Sequence, residues 1–219
     1  SVITFKPFND SIGGWGGIYF YNYSDYNGAT SSMKYCKIEK AWNQNVYCEN
    51  TNQPRFSNCS ITQSAGVGMN LYGSSPVIDS CIISNSGSHG IVEQNSSATI
   101  RYSSFLNNGG YPLKFIDWNC NSYLKGNYYQ GNSPDFICLS GGDYGSNTTI
   151  YFDNIPYHVL GDIRLGYSNP TLTIQPGVTL AFAKDKKIMI GQTDWGGYWS
   201  SLMAEGKADS VITFKPFND

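Results

Sequence analysis

Apolar residues recur along this chain at two intervals at once. Within short segments they alternate with polar ones, the period of a half-buried strand. Between segments the whole pattern returns after about 22 residues, the length of a solenoid repeat. The segments MKYCKI, FSNCSI, IDSCII and IRYSSF carry it most clearly. In each, Cys36, Cys59, Cys81 or Ser103 stands two residues before Ile38, Ile61, Ile83 or Phe105. Both side chains of such a pair point to one side of a strand. Phe56, Ile78 and Ile100 keep the same interval, as do Gly68 and Gly90, which precede Met69 and Ile91. Gln63, Asn85 and Asn107 form a polar column just after each strand, and Gly- and Ser-rich turns follow.

A repeat of about 22 residues is too short for a propeller blade of about 40 residues or more, and it fits one coil of a parallel β-helix. No coil can bury its apolar face alone. Stacking coils at about 4.8 Å turns each equivalent position into a ladder, with Ile, Val and Phe inside and Asn side chains bonding along the turns. The expected architecture is all-β, a single β-solenoid domain over residues 1–219. It would have about nine or ten coils, about 45 Å of rise, and no capping helix at either end.

Residues 1–10, SVITFKPFND, recur letter for letter at 210–219. Structural repeats inside a solenoid keep the apolar pattern and let other positions drift, so identity means that the segment was copied. It is read as one 209-residue unit followed by the start of the next in a tandem array. A duplicated or circularly permuted segment, or an overlap of the two ends, stays open. Overlaid, the copies read without a break as AEGKADSVITFKPFNDSIGGWGGIYF, and the absence of an initiator Met or signal peptide suits a mature segment or a fragment. The expected inter-unit junction joins Ser1, Val2, Ile3 and Phe5 to Ser210, Val211, Ile212 and Phe214. A heterologous contact of this kind does not close on itself, so identical copies stacked head to tail would form a filament.

Composition narrows the function. Charged residues make up 14% of the chain, with a formal net charge of −2. That is well under the usual share of about 25% and too little clustered Lys and Arg for phosphate binding, so no nucleic-acid partner is expected. Aromatics at 15% argue against disorder. No apolar run approaches the length of about 18 to 20 residues that a membrane helix needs, so no membrane insertion is expected. Ile outnumbers Leu, which suits a pleated surface better than a helix.

Three further segments carry a family likeness: NIPYHVLGDIRLGYSNPTLTIQPGVTLAFAK, LMAEGKADSVITFKPFND and GGWGGIYF. In that order, restored only by joining residue 219 back to residue 11, the text resembles right-handed parallel β-helix repeat domains of secreted microbial cell-surface proteins, which are pectate-lyase-like solenoids. The resemblance implies a right-handed coil, an extracellular or cell-surface location and an adhesive or structural role. It says little about activity, because one fold hosts many.

The enzymatic relatives of such solenoids act on acidic polysaccharide. They use carboxylates that hold calcium with an Arg or Lys base, or grouped Asp pairs. Here Asp79, Asp117, Asp135, Asp143, Asp153, Asp162 and Asp185 are scattered. Ser88-His89-Gly90 with Arg101 lacks an Asp pair, and His89 is read as a turn residue. No catalytic residue, cofactor or metal is expected. Cys36, Cys59 and Cys81 form an inward column, read as a stack of free thiols, with a rung-to-rung disulfide as the alternative and a metal site as the least supported, since CxxC spacing is absent. Cys48 lies outside the column, as do Cys120 and Cys138, the first pair to test as a possible disulfide. Trp15, Trp42, Trp118, Trp195 and Trp199 are sugar-stacking candidates or edge covers. Asn22, Asn58, Asn95 and Asn147 head N-x-Ser/Thr sequons, and Lys184–Lys187 reads as a solvated turn.

The reading is a structural repeat unit of an extracellular β-solenoid filament. Its partners are identical copies, with a glycan or a cell surface as a further contact. The competing reading is a carbohydrate-binding or carbohydrate-cleaving surface module.

Overall fold

Each alternating segment forms a strand of three to six residues that pairs in parallel with its equivalent one coil away. The structure, a computed structural model, describes residues 2–117, 120–166, 168–191 and 199–217. Among the described residues the one helix is a short 3-10 segment, Asn22–Gly28. A long face of nine strands runs from Ile18–Phe20 to Thr213–Pro216. A six-stranded face runs from Ile3–Phe5 to Tyr128–Gln130, and a five-stranded face from Ser32–Lys34 to Tyr123–Lys125.

The inward positions stack as the period requires. On the six-stranded face Phe5, Ile38, Ile61, Ile83, Phe105 and Tyr129 are successive register partners. Met33, Phe56, Ile78, Ile100 and Leu124 stack on the five-stranded face. Val46, Met69, Ile91, Leu113, Ile137, Tyr157 and Leu180 do so on the long face. Apart from Phe5, all of these are buried in one core. The regular part amounts to about seven turns, fewer than the nine or ten that equal coils would give. The coils are unequal: Ile18 pairs with Val46 and Leu180 with Phe214, so the first and last carry long loops.

The faces meet at corners where one residue takes a left-handed backbone and the next points inward. Lys40, Gln63, Asn85, Asn107 and Gly131 are such pivots after the six-stranded face. Asn tolerates this conformation because its short side chain can bond locally. The polar column marked in the sequence is therefore the pivot, and the hydrogen-bonded ladder is the residue after it. The Ser86 N–H donates to Asn108 Oδ1 (3.1 Å), and Asn108 donates its own N–H and Nδ2 to Asn132 Oδ1 (3.1 and 2.8 Å). The ladder satisfies amides that the turn leaves without a strand partner.

Past Gln130 the coil changes shape. The six-stranded face stops, and a new sheet opens with Gly142–Tyr144, Ile163–Leu165 and Ile188–Ile190. Gly141 and Gly142 turn this corner at φ 81° and 134°. A Cβ on Gly141 would lie 2.5 Å from the Gly161 carbonyl carbon, so only glycine lets the two coils approach. The sheet Thr148–Ile150, Thr171–Ile174 and Ser201–Ala204 carries on from the five-stranded face. Asn121 links the two, donating to the Asn147 carbonyl (3.3 Å) and accepting from Thr149 N–H (3.0 Å).

Candidate functional site

The cysteine column lies on a corner rather than within a flat wall. Tyr35, Asn58, Ser80, Tyr102 and Gly126 are its left-handed pivots, and Cys36, Cys59, Cys81, Ser103 and Asn127 follow them inward. Cys36, Cys59 and Cys81 are buried and unbonded. Farther along, polar side chains replace the thiols and cap the rung before them. Cys81 N–H donates to Ser103 Oγ (3.0 Å), and Ser103 N–H donates to Asn127 Oδ1 (2.9 Å). The thiols point to carbonyls: Cys36 to Lys34 (3.5 Å), Cys59 to Met33 and Ser57 (3.3 and 3.4 Å), and Cys81 to Asp79 (3.3 Å). The neighbouring Cys81 side chain holds the Cys59 thiol below the usual range, and Cys59 in turn raises that of Cys81. Burial raises Cys36.

Cys120 and Cys138, the candidate disulfide pair, are free thiols, as are the other four cysteines. Cys120 belongs to the core, its thiol 3.4 Å from the Glu93 carbonyl. Cys138 alternates outward between Ile137 and Leu139, with Lys114 and His158 as register partners. The two thiols face opposite sides of one wall.

Sequence reading missed the surroundings of His89. Tyr111 N–H donates to His89 Nδ1 (3.0 Å), the two rings stack, and Tyr111 Oη lies 2.9 Å from Nδ1 of His158. Phe217 stacks on His158 at 3.6 Å between centroids. Burial lowers His89 to about 4, with Lys114 adding to the effect, so its imidazole stays neutral. Arg101 is on a different face, ion-paired with Asp79 at 2.7 Å. His89 and Arg101 therefore share no site. The described residues hold no cluster of three or more His, Cys, Asp or Glu placed to bind a metal ion.

Among the described residues, the tryptophans do not make the aromatic surface. Trp15 bonds to the Glu39 carbonyl (2.7 Å), Trp42 and Trp199 are exposed apart, and Trp118 and Trp195 lie outside the described residues. Tyrosines make it instead. Tyr19 and Tyr47 are partners on the outer long face, 5.3 Å between centroids, with Tyr21 about 6 Å from each. Gln44 Nε2 donates to Tyr19 Oη (2.9 Å). The sequon residues Asn22, Asn58, Asn95 and Asn147 are exposed, as are residues 184–187.

Among the described residues, the strands at each end of the coil pair on one side only. At the first, Ile3–Phe5, Ile18–Phe20 and Ser32–Lys34 each pair on one side only, and Val2 (66%) and Ile3 (59%) face solvent. At the last, Ile188–Ile190, Ser201–Ala204 and Thr213–Pro216 do the same, with Val211 (63%) and Phe214 (48%) exposed. An open cleft of about 570 Å³ lies there, lined by Phe182, Lys184, Phe214, Lys215 and Phe217 among others. Ile212 packs against the core, Ser210 bridges to Lys207, and Ser1 lies outside the described residues. The identical segments take different places. Ile3–Phe5 lies on the six-stranded face against Cys36–Ile38, whereas Thr213–Pro216 lies on the long face against Thr179–Phe182. The neighbouring coil decides, because the six-stranded face has already ended before the second copy arrives.

A family model described as a right handed beta helix region matches residues 9–160. The match spans the 22-residue ladder and GGWGGIYF, and it stops before most of the two later motifs. No curated protein and no solved structure matches the chain. Parallel pairing on every face, the inward ladders and the family match agree: the chain belongs to the right-handed β-helix family.

Proposed function

We propose that the protein is a structural unit of an extracellular β-solenoid filament, stacking head to tail with identical copies. The observation that carries this is the pair of ends at which, among the described residues, the strands pair on one side only. Each leaves strand edges with unmade backbone hydrogen bonds beside exposed apolar side chains, a template for strand addition. The long face reaches both ends, so Thr213–Pro216 of one copy can take Ile18–Phe20 of the next. The sheet ending at Ser201–Ala204 likewise meets the face that begins at Ser32–Lys34. A contact of this form translates each copy along the axis and does not close. No catalytic residue is assigned.

Sedimentation of the purified chain over a concentration series, with negative-stain electron microscopy, tests the reading. Growing linear species are expected, and Phe214→Asp should return them to monomers without changing the circular dichroism. A monomer at every concentration refutes it.

The tyrosine group favours a second reading, a glycan-binding surface. Tyr19, Tyr21 and Tyr47 offer rings beside the Gln44 amide, the combination that stacks on and bonds to sugars. Binding on a glycan array that is lost in Tyr47→Ala would support it.

A further inference from the structure

We propose that Cys36 and Cys59 are a redox pair, which a low-molecular-weight disulfide of the glutathione class converts to a bond joining the second and third rungs of the six-stranded face. Register places Cys36 beside Cys59 and Cys59 beside Cys81. Strands about 4.8 Å apart lie within the Cα separations of about 4.4–6.8 Å that a disulfide spans. Two asymmetries select the first pair. The Cys59 thiol reaches 3.3 Å to the carbonyl of Met33, in the coil that carries Cys36, whereas the Cys81 thiol turns to Asp79 of its own coil. Cys36 is also one strand from the open end, covered by Ile3–Phe5, which pairs on one side only. End strands open most readily, so Cys36 is the thiol that solvent reaches first. Cys48 sits between Phe20 and Leu71 with no thiol in the adjoining rungs.

The chemistry balances in two exchanges. With the end strand lifted, Cys36 loses its proton to solvent and its thiolate attacks one sulfur of RS–SR, giving a mixed disulfide and RS⁻. The Cys59 thiolate, its proton also given to solvent, then attacks the Cys36 sulfur and expels the second RS⁻. Two protein thiols are oxidised, and one external disulfide is reduced to two RSH.

The test is to incubate the whole folded chain with oxidised glutathione, quench by alkylation and map peptides without reduction. A Cys36–Cys59 linked peptide is expected, with Cys81 still free on later unfolding. Cys59→Ser should accumulate glutathione on Cys36, and Cys36→Ser should give neither product. Phe5→Ala, which loosens the end strand, should speed the reaction several-fold and leave the product the same. Circular dichroism establishes that each variant is folded. A Cys59–Cys81 link, glutathione on Cys36 that Cys59 never resolves, or no linked peptide under conditions that oxidise the unfolded chain overturns the proposal.

Discussion

Asn127 donates its backbone N–H and its side-chain amide to the two carboxylate oxygens of Asp153, at 3.1 and 2.7 Å, one coil away inside the corner. Tyr129 also donates its hydroxyl to Asp153, so a single carboxylate ends the ladder that begins at Cys36. Replacing it by alanine leaves three buried donors without an acceptor. Each unsatisfied donor costs about 1–3 kcal/mol, less what water entering the cavity returns. Asp153→Ala should lose about 3 kcal/mol or more in urea unfolding, whereas Glu205→Ala, at an exposed position, should stay near wild type.

Glu93 occupies an inward position between Leu71 and Phe115 and is fully buried. Burial raises its carboxyl to about 7, opposed by the Ser122 hydroxyl and reinforced by Asp117. The folded chain therefore keeps a proton that the unfolded chain releases near 4.5, and stability falls as pH rises from there through about 7. Glu93→Gln should remove that fall and be more stable by about 2–3 kcal/mol above pH 8, with little difference at pH 4. Thermal unfolding across pH checks it, and an unchanged slope would count against a neutral buried acid.

Phe105 and Ile82 test the register. Phe105 is fully buried and stacks on Tyr129 at 5.3 Å, while Ile82 on the same face points out and is exposed. Phe105→Ala should cost about 3–5 kcal/mol, the transfer loss plus a cavity that stacked coils cannot close. Ile82→Thr should shift stability by about 0.5 kcal/mol at most. A slip of one residue would exchange the two results.

Gly141 carries the corner at which the new face opens. Gly141→Ala would force a Cβ against the Gly161 backbone and strain a left-handed φ, so a loss of about 2 kcal/mol or more is expected. Hydrogen exchange should quicken in Gly142–Tyr144 and Ile163–Leu165 and hold steady at Ile61 and Ile83. Uniform quickening would mean that the two halves open as one.

Much of the fold was legible in the sequence because each rung repeats the last. Ile38, Ile61, Ile83 and Phe105 are register partners, and the 22-residue spacing alone places them so. The site residues were less legible. Cys120 and Cys138 looked like a pair by number, but Cys120 joins the core whereas alternation turns Cys138 outward between Ile137 and Leu139. His89 was read as a turn residue because the strand ladder marks no contacts between turns; Tyr111 bonds it one rung on and itself reaches His158 two rungs farther.

The sequence by itself determined the coil and its inward columns. Alternation chooses a strand's buried side, and a fixed period makes ladders. Only the tertiary structure decided where the coil changes shape and where each copy of SVITFKPFND lies. Identical residues pair with Cys36–Ile38 at one end and with Thr179–Phe182 at the other. A strand of three or four residues has no face of its own, and the coil already in place supplies the edge that it joins.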